Sequence, residues 1–347
     1  MKITTIGDGA MATVCSQILA SKTAASAPVE VVMWGRDGAR LKEWDAAREN
    51  KRYLPGVRLA ENLKLEGDGR TAFAGASYVV CAVPTQYIRG TLTGLKPHIS
   101  PDVPVISVSK GIEMGTLRRP SEIIVEVLGS HEVAAASGPN IAGEMARKLP
   151  ATMVVAAESC AGPGCDHIAD EPLAQQVQEM FTTPALRVYR NGDLLGVELA
   201  GALKNVIAIA AGILDGMHAG HNAKAALLTR GLVEITRLGV ALGAQAETFA
   251  GLAGLGDLVT TCFSPEGRNR KFGERIGRGE KTPDVLASIV GVVEGMPTCK
   301  SVVALAQASG IEMPIAEGLY AVLFEGRDPR SQLADLMSRE LKREVAE

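Results

Sequence analysis

The chain has 347 residues, enough for two domains with separate cores, and its 38 glycines and 17 prolines are too few for a fibrous or disordered chain. Hydrophobic residues make up 46% and aromatics only 4%, so the cores have to be aliphatic. With 36 basic against 39 acidic residues, no nucleic-acid partner is expected, although a local cationic pocket for a small anion is compatible with that balance.

In chain order, residues 3–6, 29–34, 78–83, 103–108, 134–137 and 153–156 read as short strands, and 186–189 as a last one ended by Asn191-Gly192-Asp193. They are rich in Val, Ile and Ala without strict alternation, as strands buried on both faces should be. Helical patterns such as 11–19 and 120–128 separate them, which predicts an α/β fold with a Rossmann-like, doubly wound parallel sheet. From residue 193 strand signals vanish. Helices are expected at 195–214, 223–242, 265–277, 282–289, 299–307, 315–324 and 329–345. The last has Asp328 as N-cap, Pro329 at its first position and an apolar stripe of Leu333, Leu336, Met337 and Leu341. The expected division is a dinucleotide-binding domain at 1–192 and an all-α substrate-binding and catalytic domain at 193–347, with a charged end at 338–347 that frays.

The first residues show no apolar segment behind a basic one, and no run reaches the ~20 apolar residues of a membrane span. Of the six cysteines (15, 81, 160, 165, 262 and 299), only Cys160 and Cys165 lie close, and no second pair completes a zinc spacing. A cytoplasmic protein with reduced thiols and no metal is expected.

Gly7-Asp8-Gly9-Ala10-Met11-Ala12 joins the first strand to the first helix and matches G-x-G-x-x-G/A. Gly7 permits the tight turn, Gly9 lets a pyrophosphate approach, and Ala12 lets helix and strand pack closely. The turn points to dinucleotide binding; the alternative is a purely structural turn. After the second strand stands Arg36, where an acid would serve the ribose of NAD. A guanidinium there suits the 2′-phosphate of NADP, with NAD as the tolerated cofactor. Alternatively Arg36 caps a loop and Asp37 serves the ribose.

The stretch 196–210 is apolar on nearly every face except at Lys204 and Asn205, so Lys204 should be buried, with a lowered pKa suited to proton transfer. Gly201, one turn earlier, would leave room for a ligand; the alternative is a lysine that reaches the surface. Gly251-Leu252-Ala253-Gly254-Leu255-Gly256-Asp257 reads as a glycine-dense turn delivering a carboxylate. Arg268 and Asn269 follow as a grip for a phosphate and a hydroxyl. Lys224 and Arg230 add polar groups to a mostly apolar helix. Each of these, taken alone, also has a structural reading as a cap or a solvated charge.

These blocks resemble the NAD(P)-dependent glycerol-3-phosphate dehydrogenase family, in its bacterial form, over essentially the whole chain. The resemblance rests on Gly7-Asp8-Gly9, Tyr53-Leu54-Pro55-Gly56, Val83-Pro84-Thr85, Ser109-Lys110-Gly111-Ile112-Glu113, Ser137-Gly138-Pro139-Asn140-Ile141-Ala142, the segments 196–212, 222–231 and 251–257, Arg268-Asn269-Arg270, and Val293-Glu294-Gly295. It implies a Rossmann domain, a helical domain and a homodimer. It also implies interconversion of dihydroxyacetone phosphate and sn-glycerol 3-phosphate with NAD(P)H, supplying phospholipid synthesis.

By that resemblance Lys204 is the proton donor and acceptor, with Asp257 and Lys110 also catalytic. Lys110, Gly138, Asn140, Lys204, Asn205, Asp257, Gly267, Arg268 and Asn269 meet the substrate. Gly7, Gly9, Ala10, Met11, Ala12, Arg36, Lys110, Ala142, Arg268, Val292 and Glu294 meet the cofactor. Ala10-Met11 replace the Ser and aromatic residue usual in bacterial members, Asn140 replaces Ser or Thr, and Gly267 replaces Ser. The rival readings are a dehydrogenase of another hydroxy substrate, which would lack the Arg268-Asn269 grip, and a non-catalytic dinucleotide sensor, which would have no use for Lys204.

Overall fold

A computed structural model describes residues 1–24, 27–129, 131–157, 172–340 and 343–344, with the backbone alone at 23–24 and 27–28. Cys160 and Cys165 lie outside the described residues, as does Leu341; the other four cysteines are buried and free. The strands are β1 (Lys2–Ile6), β2 (Thr23–Ala24), β3 (Ala27–Pro28), β4 (Glu30–Trp34), β5 (Leu63–Glu66), β6 (Tyr78–Cys81), β7 (Val105–Ser107), β8 (Val133–Ser137), β9 (Ala151–Ala157) and β10 (Leu186–Arg190). Apart from the small β2–β3 pair they form one sheet, ordered β10-β9-β8-β7-β6-β1-β4-β5.

Alternate residues of the central strands face opposite cores. Val31, Met33 and Val80 pack with α1 (Ala10–Ala20), α2 (Gly38–Ala47) and α7 (Pro172–Phe181). Val32, Val79 and Cys81 pack on the other face with α3 (Gly69–Phe73), α4 (Thr85–Leu95) and α5 (Pro120–Leu128). The sheet is therefore doubly wound, as predicted. It is not wholly parallel: β9 pairs antiparallel with β8, and β10 runs with β9. The link between β8 and β9 holds only the five-residue α6 (Ala142–Ala146), too little for the crossover that a parallel return needs.

The second region is helical: α8 (Leu194–Gly216), α9 (Gly220–Ala241), α10 (Ala246–Ala250), a π-helical turn at Leu252–Gly256, α11 (Asp257–Phe263), α12 (Arg268–Gly277), α13 (Thr282–Ser288), α14 (Gly295–Ser309), α15 (Pro314–Phe324) and α16 (Pro329–Met337). Asp193 caps α8, accepting from the Gly196 amide at 2.7 Å. Among the described residues α8 alone is long and apolar enough to cross a membrane, yet 94% of its most apolar stretch is buried inside the protein. Its core extends into the sheet through Ala135, Val154 and Ala156.

Asp328 caps α16 as expected, through the Ser331 amide at 2.9 Å, but the helix stops at Met337. Its predicted stripe is not buried: Leu333 touches the core, whereas Met337 is 80% exposed.

Helices α8 and α12 meet along a seam of glycines spaced four apart, Gly212 and Gly216 against Gly273 and Gly277. A Cβ at Gly212 would strike the Arg270 carbonyl, and one at Gly273 the Ile209 carbonyl. Small residues at this spacing let two helix backbones touch. The seam brings the start of α12, with Arg268 and Asn269, against the part of α8 that carries Lys204 and Asn205.

Candidate active site

The chain runs from β1 outward to β4 and β5, then returns to β6 on the other side of β1. Such a reversal opens a crevice at the carboxyl ends of the strands, and the glycine turn lies there. Gly7 has φ +115°, and a Cβ on it would press to 3.0 Å from the Ala82 carbonyl oxygen. At Gly9 an added Cβ would meet nothing within 4 Å, so the backbone is open to a ligand. Ala12 is fully buried, its methyl 3.7 Å from the Cβ position of Gly7. Each of the three positions thus does what a dinucleotide cradle requires, and the free N–H groups of α1 would face the phosphates.

Asn50 holds this cradle in shape. It is fully buried, and its amide donates to the Asp8 carbonyl at 2.9 Å and the Thr13 hydroxyl at 2.8 Å. Ala10 and Met11, in the first turn of α1, are half-buried against the sheet core. Arg36 is exposed just past β4 and forms no ion pair or side-chain hydrogen bond among the described residues. The loop-cap role belongs to Asp37, which accepts from the Arg40 amide at 3.0 Å at the start of α2.

The second cluster forms where loops after β7 and β8 meet α8 and α11. Lys204 is 5% exposed and Asp257 2%, so the lysine does not reach the surface. Lys204 Nζ donates to Asp257 Oδ1 at 3.0 Å and to the Thr261 hydroxyl at 2.5 Å. Lys110 Nζ donates to the other carboxylate oxygen, Asp257 Oδ2, at 2.5 Å and to the Gly138 carbonyl at 3.0 Å. Gly138 has φ +121°, and a Cβ there would press on the Thr152 carbonyl at 3.1 Å, so the turn that aims this carbonyl needs glycine.

Burial pushes Lys204 below the ordinary lysine range, and the Lys110 charge pushes the same way while Asp257 resists. Burial by itself would raise the Asp257 carboxyl; Lys110 and Lys204 overcome this and hold it below the usual carboxylate range. Each ammonium has three hydrogens and spends two on protein partners, so each keeps one for a ligand.

Around this centre the amide of Asn269 donates to Asn205 Oδ1 at 2.9 Å, and its carbonyl accepts from the Gly295 amide at 3.0 Å. Asn269 thereby ties α12 to α8 and α14 while it borders the site. Arg268 is exposed, with its guanidinium beside Gly291. Burial raises the Glu294 carboxyl, and the charges of Arg268, Lys204 and Lys110 oppose that rise. Val292, two residues before Glu294 in the chain, is half-buried. Gly267 caps α12, its Cβ position 3.1 Å from the Thr261 carbonyl. Asn140 Oδ1 is buried without a partner among the described residues, and Ala142 opens α6 beside it in sequence.

One expectation changes. Gly201 does not leave room for a ligand, because its Cβ position lies 2.6 Å from the Ser137 hydroxyl, which fills that space. The glycine-dense turn before Asp257 is π-helical and runs straight into α11. Thr261 was missed, although Asp257 and Thr261 are four apart and so share one helix face. Glu198 was missed as well. Buried on α8, it accepts from Arg119 Nη1 at 2.6 Å and from the Ser121 amide at 2.8 Å, tying α8 to the start of α5.

An open dinucleotide cradle at the switch point of a Rossmann sheet, joined to a helical unit that buries a lysine–carboxylate–lysine cluster, defines a nicotinamide-dependent dehydrogenase. Family models for the NAD-dependent glycerol-3-phosphate dehydrogenase N-terminus and C-terminus match residues 2–161 and 193–334. The chain belongs to the glycerol-3-phosphate dehydrogenase family. It is 44% identical over 346 residues to the glycerol-3-phosphate dehydrogenase [NAD(P)+] of Citrifermentans bemidjiense, covering 99% of this chain and 98% of that one. With the enzyme of that name from Carboxydothermus hydrogenoformans it shares 45% over 347 residues, with coverages of 99% and 98%. The solved glycerol-3-phosphate dehydrogenase of Coxiella burnetii superposes with a TM-score of 0.89 at 34% identity, covering 97% of this chain and 99% of that one. The Saccharomyces cerevisiae structure gives 0.80 at 28%, with coverages of 98% and 99%.

Proposed function

We propose that the chain interconverts dihydroxyacetone phosphate and sn-glycerol 3-phosphate with NADPH or NADH, supplying glycerol 3-phosphate for phospholipid synthesis. The observation that carries this reading is the buried Lys204–Asp257–Lys110 cluster, set in a chain similar along its whole length to dehydrogenases of that name. A bound nicotinamide supplies or accepts the hydride.

Lys204 offers its remaining hydrogen to the ketone oxygen, stabilises negative charge there and delivers the proton; in the reverse direction it removes it. Asp257 orients both lysines and offsets one of their two positive charges. Lys110 presents its own free hydrogen to the substrate. Arg268 serves the phosphate, remote from the reacting carbon, so that phosphate binding positions the ketone. Asn140, Asn205, Gly138, Gly267 and Asn269 shape the walls of this site. In the same reading Arg36 meets the 2′-phosphate of NADP, while Ala142, Val292 and Glu294 border the cofactor. The functional units divide at 192/193, and the protein acts as a cytoplasmic homodimer.

The test follows the absorbance of the reduced cofactor with dihydroxyacetone phosphate and with its unphosphorylated analogue. Turnover confined to the phosphorylated ketone is expected; equal turnover of both would contradict the assigned substrate.

A further inference from the structure

Asp8 after β1, Asp37 after β4 and Arg40 in the first turn of α2 take no part in the reaction described above. Asp8 lies between the two glycines of the cradle, its Cβ 3.0 Å from the Cβ position of Gly35. Its carboxylate is paired with Arg40, in the first turn of α2. The same guanidinium lies 3.4 Å from Asp37 Oδ2 and 5.3 Å from the ring centre of Trp44, which it covers. Arg36, next to Asp37 in the loop after β4, stays exposed.

A carboxylate after the second Rossmann strand is the usual acceptor for the ribose hydroxyls of NAD, and it repels a 2′-phosphate. Asp37 stands in that loop, and Asp8, from the turn after β1, packs against it at Gly35. Arg40 engages both, which leaves the positive charge of Arg36 uncancelled. Without Arg40 the four groups would become three, with two negative charges against one positive.

We propose that Arg40 is a specificity-determining residue: by holding Asp8 and Asp37 it keeps the ribose pocket receptive to a 2′-phosphorylated dinucleotide, and its loss turns the pocket toward the unphosphorylated one. This rests on the placement of the ribose beside Arg36. Arg40 acts through the two carboxylates, so it is a positioning residue rather than a direct ligand.

The test is binding of NADPH and of NADH to the full chain without substrate, read by fluorescence of the reduced cofactor at one ionic strength. Arg40→Met keeps a stem over Trp44 and removes the charge. It is expected to raise the NADPH Kd about tenfold or more while NADH changes less than about threefold. Adding Asp8→Asn to Arg40→Met should recover a large part of the NADPH affinity, because one repelling charge is gone. Asp8→Asn alone should leave NADPH binding unchanged or tighter, which keeps the idea testable even if Arg40→Met fails to fold. Equal weakening of both cofactors in Arg40→Met, no recovery in the double variant, or weaker NADPH binding in Asp8→Asn would overturn the proposal. Arg36→Ala separates the two layers. If it fails to discriminate between the cofactors, the ribose placement is wrong; if it discriminates and Arg40→Met does not, the role of Arg40 alone is wrong.

Discussion

Two aspartates in the helical region each sit between two cations, and they differ in what they join. Asp257 gives one oxygen to Lys204 and the other to Lys110, and each lysine keeps a hydrogen free. Asp215, at the far end of α8, receives Lys224 at 3.0 and 2.8 Å on its two oxygens and Arg270 Nε at 2.7 Å. Lys224 also lies 4.6 Å from the ring centre of Phe263. Lys224 likewise spends two hydrogens on protein oxygens, both of Asp215. That cluster fastens α9 and α12 to α8, whereas the Asp257 cluster joins α8 and α11 to the loops after β7 and β8, at the carboxyl ends of the strands. A buried lysine beside an aspartate is therefore not a signature of chemistry; what marks a site is where in the fold the pair stands.

The comparison breaks most directly by removing each lysine in turn. Lys204→Ala should fold and bind cofactor while kcat falls about 10²–10³-fold or more, as expected for loss of a group that stabilises charge in the transition state. Single-turnover rates check this, and near-normal turnover would remove Lys204 from the chemistry. Lys224→Ala should do the reverse. Asp215 would keep only Arg270, at a cost to folding of about 1–3 kcal/mol, read as a lower Tm, with kcat per folded molecule nearly unchanged. A collapse of kcat with an unchanged Tm would show that the Asp215 cluster is not merely structural. The smallest effect is expected at Thr261. Thr261→Val removes one hydroxyl contact to Lys204 and keeps the shape, so kcat should fall by no more than about tenfold, the value of a single hydrogen bond of about 0.5–1.5 kcal/mol. A larger fall would give the hydroxyl a part in moving the proton.

Much of this was legible in the residues. The central strands were visible because Val and Ile runs buried on both faces have few other uses. Strand β5 was not: Leu63-Lys64-Leu65-Glu66 is a polar edge strand at the end of the sheet. The reversal of β9 was hidden because direction depends on how far a connection travels, and composition does not record that. The glycine turn and the buried Lys204 announced themselves through the exceptions they make, glycines at a strand end and a cation in an apolar helix. Thr261, Glu198 and the glycine seam could not be assigned a role without their partners. Each is ordinary within its own helix and gains meaning only from what a second element places against it.

The central claim is that Lys204 is the proton donor and that Asp257 and Lys110 set its readiness. Ketone reduction needs Lys204 as an ammonium, so kcat should fall as pH rises through its pKa, and burial places that limb below the ordinary lysine range. Asp257 raises the Lys204 pKa and Lys110 lowers it. The pH profile of kcat for reduction, measured in the native enzyme and in two variants, therefore makes a signed test. Whatever the loss in absolute rate, Asp257→Asn should move the alkaline limb to lower pH, and Lys110→Met should move it to higher pH. Limbs that stay in place in both variants, or that move in the same direction, would contradict Lys204 as the titrating donor.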